Sequence, residues 1–205
     1  MHPTRLFHEH DPDLLVQTAN THPFALVIGV QSNRPYAAHA PVLVEQRAET
    51  IDLRFHLSRM NPVTDAIQAT GRALVVFTGP HTYVSPDWYG QDDQVPTWNY
   101  LSVEAEGPLQ VLDDAGAARL LDDLSATYEA ELTPKPAWTR GKMTPGRFES
   151  MLKGITAFEM AATRFEGIRK LNQNKPVPAR ERVISALESR EDGLAIAREM
   201  RKLDT

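Results

Sequence analysis

From the amino end, apolar and polar positions first fall at helical spacing over DPDLLVQTANTHP. Asp11 is an N-cap, Pro12 takes the first helical position, and Leu14, Leu15 and Ala19 lie toward one face, so the pattern predicts a short helix that ends before Pro23. FALVIGV is a continuous apolar run with β-branched residues, broken by the polar turn QSNRP, after which YAAHAPVLVEQ resumes an extended pattern. Those three pieces predict a hairpin. IDLRFHLS then alternates: Ile51, Leu53, Phe55 and Leu57 on a core face, and Asp52, Arg54, His56 and Ser58 on a face open to ligand or water. In RMNPVTDAIQAT, Asn61 caps a new helix ahead of Pro62. The unbonded N–H groups at its start are expected to point toward Ser58, Arg59 and Met60, an arrangement that attracts anions.

GRALVVFTG reads as a buried strand and YLSVEAEGPLQVL as an alternating one, with Leu101, Val103, Ala105, Leu109 and Val111 on one parity. Ala117, Leu120, Leu121, Leu124 and Tyr128 recur at helical spacing between Asp113 and Leu132, the longest amphipathic helix, which must pack on a sheet or a partner. A Pro-rich connection, TPKPAW, leads to a short helix opened by Thr144 and Pro145, and AFEMAATRFEGI alternates as a single final strand. The polar stretch KLNQNKPVPARERV precedes two short helices, around Val183 to Ser189 and Leu194 to Leu203. At least five short strands without strict βα alternation predict a mainly β fold with helices, an antiparallel closed or nearly closed barrel. The expected parts are residues 1–170 as the barrel and 171–205 as a polar segment with helices packed on the barrel or a second copy.

A chain of 205 residues supports one domain and an appendage. No apolar run approaches the roughly 20 residues a membrane helix needs, and no secretory signal is visible, so the expected location is the cytoplasm. The absence of cysteine excludes disulfides, thiolate metal sites and cysteine nucleophiles. No HxxxH pair, dinucleotide glycine fingerprint, phosphate loop or Gly-x-Ser-x-Gly elbow is present, so neither a metal site nor those catalytic routes are expected. The net charge of −5 argues against attraction of the whole protein to nucleic acid.

Three stretches carry chemistry. His56 to Pro62, HLSRMNP, joins a strand-end His, a hydroxyl, an Arg and a capped helix start, a set that suits a phosphate. The residues alone leave open a solvated Arg59 and a surface His56. His81 to Tyr100 holds two of the three Trp and three of the five Tyr, interleaved with polar groups, which favours a flat ligand over burial. Arg164 to Arg182 carries six basic residues against two acidic, which suits a phosphate or a solvated linker equally. From Pro176 to the end the balance is six basic to six acidic, so direct DNA binding by a basic recognition helix is disfavoured.

The order HxP (His39 to Pro41), HLSRMNP, GPHTYVSPDWY (Gly79 to Tyr89), VPTWNY (Val95 to Tyr100) and KLNQNK (Lys170 to Lys175) resembles the PaiB-like family, described as FMN-binding negative transcriptional regulators. Two positions depart from the family pattern, which usually has a small residue where Met60 stands and commonly Ser where Asn172 stands. The resemblance implies an FMN-binding split barrel, antiparallel, assembled as a homodimer. Carried onto this chain, it makes His56, Ser58, Arg59 and Asn61 candidates for the FMN phosphate. Trp88, Tyr89 and Trp98 become candidates for the ring or the pocket above it, and Ser85, Thr97 and Asn99 for its polar edge. Lys170 and Gln173 approach from the C-terminal side, with Lys170 the cation that would face the pyrimidine edge. The alternative function is an FMN-dependent oxidoreductase acting on a small molecule in an aromatic-lined pocket at the dimer interface.

Overall fold

The computed structural model describes residues 2–48 and 50–204; Met1 and Thr205, the outer ends of the two expected parts, lie outside the described residues. In chain order the elements are β1 (His8–Glu9), α1 (Pro12–Thr21), β2 (Phe24–Gln31), β3 (Arg34–Arg47), β4 (Thr50–Ser58), α2 (Pro62–Thr70), β5 (Arg72–Val84) and β6 (Thr97–Val111). They continue with α3 (Asp114–Ala130), α4 (Arg147–Leu152), β7 (Ile155–Ala161), β8 (Arg164–Lys170), α5 (Val177–Glu188) and α6 (Leu194–Arg201). The strand order is β1-β8-β6-β5-β2-β3-β4-β7, and β6 also pairs with β7, so six strands close on themselves.

Several boundaries follow from local chemistry. Asp11 Oδ1 accepts from Asp13 N at 3.0 Å and starts α1, whose inner face is Leu15 and Ala19. The β2–β3 hairpin turns on Ser32 and Asn33, both with positive φ, the pairing of left-handed residues that a two-residue turn matched to strand twist requires. Asn61 Oδ1 accepts from Val63 N at 3.0 Å at the start of α2, and Gly71, at φ +65°, ends it. Asp113 Oδ1 does the same for α3 through Gly116 N at 2.7 Å.

Other boundaries differ from the sequence pattern. The final strand is two, β7 and β8, separated at Ala162 and Thr163. There Thr163 N bonds Glu106 O and Ala162 N bonds Ile51 O. α4 starts at Arg147, after Gly146 at φ +78°, and not at Thr144. α5 starts at Val177, six residues ahead of the expected position, with Pro178 tolerated in its first turn, where no N–H is needed. Val111 is exposed despite its parity, because the alternation of β6 lapses after Gly107 and Pro108. β5 runs on to Val84, four residues into the aromatic stretch. Its buried face switches from Ala73, Val75 and Phe77 to Thr82 and Val84 around Pro80, as one extra residue in a strand makes it do.

Two compact units are present: Met1–Thr21 with Thr78–Val103 and Glu166–Thr205, and His22–Phe77 with Glu104–Phe165. In the second unit Val27, Val42, Leu53, Phe55, Val75 and Phe158 are fully buried, and Phe55 meets Phe158 across β4 and β7 with ring centroids 5.4 Å apart. α2 lies directly on β2: a Cβ at Gly29 would sit 2.6 Å from Ile67 Cγ2. α3 packs Ala117, Leu120 and Leu124 against Ala157 of β7. In the first unit α5 and α6 gather Val183, Ile184, Leu187, Ile196 and Met200 around Tyr89 and Leu101. Among the described residues no helix is long and apolar enough to cross a membrane.

Candidate functional site

In the second unit the outward face of β4 carries His56 and Ser58 into the turn that Asn61 closes. Ser58 Oγ accepts from Met60 N at 3.3 Å, Asn61 N bonds Ser58 O at 3.0 Å, and Arg59 N bonds Gly154 O at 2.9 Å. The Arg59 guanidinium is exposed and donates to Ile155 O at 3.2 Å, leaving most of its five N–H groups for another partner. The start of α2 is not the row of free donors its sequence predicts: Val63 N is held by Asn61 Oδ1, Thr64 N by Asn61 O at 2.8 Å, and Pro62 has no N–H. The donor chemistry of this turn therefore rests on Arg59.

His56 is half-buried, and burial holds its imidazole below the ordinary histidine range. Its Nδ1 is buried without a hydrogen-bond partner. The ring lines a groove of about 320 Å³ whose other walls include Trp138, Arg140, Phe148 and Ile155. The sequence pattern marked the connection carrying Trp138 and Arg140 only as Pro-rich. The available signal was the third Trp, standing apart from the other two.

In the first unit the aromatic stretch is two strand ends joined by a 3-10 turn, Pro86–Tyr89, and a loop. Trp98 is 53% exposed, its ring centroid 6.0 Å from His81 and 6.3 Å edge-on from Tyr83. Thr78, His81, Trp98 and Tyr100 line an open shelf of about 280 Å³. Lys170 Nζ donates to Thr97 Oγ1 and, at 2.6 Å, to Trp98 O, and stands 5.7 Å from the centre of the Phe7 ring. Partial burial lowers its pKa from the ordinary lysine value.

The remaining candidates in this unit face inward or serve the backbone. Tyr89 is 1% exposed, its hydroxyl 3.4 Å from Asn172 Oδ1, and burial raises its pKa despite that hydrogen bond. Asn99 is fully buried, its Nδ2 directed at Met200 Sδ and its Oδ1 without a partner. Gln173 closes its own turn, accepting from Leu171 N at 2.7 Å and donating to Arg169 O. Trp88 packs on the helical cluster with Arg190 5.9 Å from its ring centre, and Ser85 O accepts from Trp88 N at 3.3 Å. Thr97, Trp98 and Lys170 thus stand together, while Tyr89 and Asn99 are tied into the helical side of the unit and Gln173 into its own turn.

A family model described as "Putative FMN-binding domain" matches residues 1–164. The chain belongs to that family. It is 30% identical over 169 residues to the "Protease synthase and sporulation protein PAI 2" of Bacillus subtilis, covering 82% of this chain and 80% of the relative. It is a PaiB homologue. Its fold is shared with the FAD and heme binding protein from Mycobacterium smegmatis, at TM-score 0.59 and 20% identity, over 87% of this chain and 79% of that one. The flavocytochrome Anf3 from Azotobacter vinelandii is also similar, at TM-score 0.57 and 12% identity, over 82% and 72%. The antiparallel fold expected from the sequence is the split barrel of these flavoproteins, with eight strands among the described residues where the sequence pattern gives at least five. FMN is the cofactor of the FMN-binding family. Within the second unit the exposed Arg59 guanidinium suits an anionic group, and within the first the open Trp98 shelf suits a planar one.

Proposed function

We propose that this FMN-binding protein is an oxidoreductase acting on a small planar molecule, with Arg59 gripping the flavin phosphate and Ser58 assisting. Bound FMN supplies the electron-transfer chemistry. The chain's own contribution in this reading is a ring-binding surface at Trp98 and a fixed cation at Lys170, held by Thr97 and the Trp98 carbonyl. Tyr89, Asn99 and Gln173 act in this reading as supports behind that surface. His56 and Asn61 position the Arg59 turn, while Ser85 and Trp88 shape the far end of the aromatic stretch.

The observation that carries the reading is the pairing of an open aromatic shelf with a charge-balanced C-terminal segment in which several basic side chains are already engaged. Arg201 bonds Glu188 at 2.8 Å, Lys202 bonds Glu199 at 2.6 Å, Arg190 bonds Asp192 at 2.7 Å, and Arg182 Nε donates to Tyr89 O at 2.9 Å. Phosphates of DNA would have to displace those partners, which disfavours direct DNA binding. The second reading is a negative transcriptional regulator of the PaiB type, favoured by the similarity to a relative named for protease synthesis and sporulation. A homodimer belongs to both readings and is supported by exposed apolar side chains such as Phe24 at 66% and Val30 at 49%.

The test is FMN-loaded protein mixed anaerobically with NADH or NADPH. Bleaching of the flavin at a useful rate, with reoxidation by an added quinone, supports the oxidoreductase. No reduction, together with a salt-dependent and sequence-selective shift of promoter DNA, overturns it in favour of the regulator.

A further inference from the structure

We propose that the open shelf beside Trp98 takes a neutral aromatic molecule carrying a ring hydroxyl or ring N–H, and that His81 is the side chain that accepts that hydrogen. The inference rests on the reading of the shelf as the place of the small planar molecule, and it names that molecule's chemical class. The change of parity at Pro80 builds the site. Beyond it Thr82 and Val84 turn inward, so His81 and Tyr83 turn outward beside Trp98 of the neighbouring strand β6.

The lining sets the shape and the charge. Trp98 is 53% exposed, and its ring is tilted 37° from the exposed His81 ring; an aromatic face laid over them removes both from water. Thr78, Tyr100, Leu101 and Ser102 complete the shelf of about 280 Å³, and no carboxylate, lysine or arginine is among its lining residues. Lys170 Nζ is taken up by Thr97 Oγ1 and the Trp98 carbonyl. A neutral ligand therefore leaves no charge without a partner there.

His81 supplies the direction. Its Nδ1 lies 3.2 Å from Gly79 O. A carbonyl oxygen can only accept, so the hydrogen of the neutral imidazole belongs on Nδ1, and Nε2 is left as a lone pair. The Thr78 and Ser102 hydroxyls can each donate or accept, so they do not choose between ligands. Nε2 does: its complement is a donor on the ring edge, a phenol-type hydroxyl or a ring N–H.

2-Naphthol and 2-methoxynaphthalene share the rings and the oxygen and differ in that hydrogen, so they are the probes. Binding is measured by equilibrium dialysis against FMN-saturated protein at about pH 8, where an imidazole is ordinarily neutral. 2-Naphthol should bind roughly two- to tenfold tighter, the worth of one neutral hydrogen bond. His81→Phe should bring the ratio to about one, and Trp98→Ala should weaken both probes severalfold; both side chains are exposed, so neither change empties a core. Absence of binding, equal affinity for the two probes, a preference that survives His81→Phe, or indifference to Trp98→Ala would each overturn the proposal. So would binding to flavin-free protein that FMN abolishes, which would give the shelf to the flavin. No electrons move in this titration, so a flavin that NADH and NADPH fail to reduce, with the probe preference intact, strikes the oxidoreductase reading and leaves the His81 contact standing.

Discussion

Arg59→Ala separates the phosphate from the rest of the cofactor. Arg59 spends one N–H on Ile155 O at 3.2 Å, and its exposed guanidinium offers the rest. A hydrogen bond to a charged group contributes about 1.5–3 kcal/mol, and an exposed ion pair about 0–1 kcal/mol. For a partly solvated contact the loss should fall between about 1 and 3 kcal/mol, a roughly five- to 150-fold weaker grip on FMN. Riboflavin, which has the same ring and no phosphate, should change less than about twofold on the same scale. The assay is quenching of flavin fluorescence by flavin-free protein, run with both ligands at low and high salt. FMN affinity of the unaltered protein should fall with salt, and that of the variant should fall less. An equal loss for riboflavin and FMN, or no loss for FMN, refutes Arg59 as the phosphate ligand.

Three further outcomes follow from named contacts. Asn61→Ala removes the cap on Val63 N and should cost about 1 kcal/mol, a fall of roughly 2–4 °C in the thermal midpoint, whereas Asn61→Asp should keep the cap and weaken FMN by placing a negative charge beside Arg59. Burial lowers the His56 pKa in the folded state below its unfolded value of 6.5, so the unfolded chain binds the extra proton first. Stability should therefore be fully present above pH 6.5 and decline as pH falls below it, with the decline reduced in His56→Phe. Trp98→Ala, at a half-exposed ring, should leave thermal stability nearly unchanged while raising KM for the small-molecule substrate; a large drop in stability would show the ring to be structural instead.

The parts of this fold that were legible in the sequence are those written in adjacent residues. Ser32 and Asn33 between two apolar runs specify the hairpin, and Asp11 and Asn61 ahead of prolines specify helix starts. Alternation in IDLRFHLS gives the two faces of β4 from Leu53 onward, while Ile51, at the strand's start, is only half-buried. What was hidden depends on distant partners. Tyr89 and Asn99 read as polar-tipped surface residues in their own stretch, yet α5 and α6, about a hundred residues later in the chain, cover them and supply Met200 as a neighbour. The amides at the start of α2 looked free because a sequence gives the cap residue but not how many donors its side chain and carbonyl satisfy. The groove over His56 was invisible for a related reason: its walls come from β4, α3, α4, β7 and the Pro-rich connection, which lie far apart in the sequence.

The central claim is that this chain binds FMN, and its most direct test is a visible absorbance spectrum of the purified protein before and after incubation with FMN and removal of unbound flavin. The account predicts a yellow protein, or one that becomes yellow, with about one flavin per chain and a shifted, structured flavin band. A protein that stays colourless after incubation, at concentrations where it remains folded, contradicts the account.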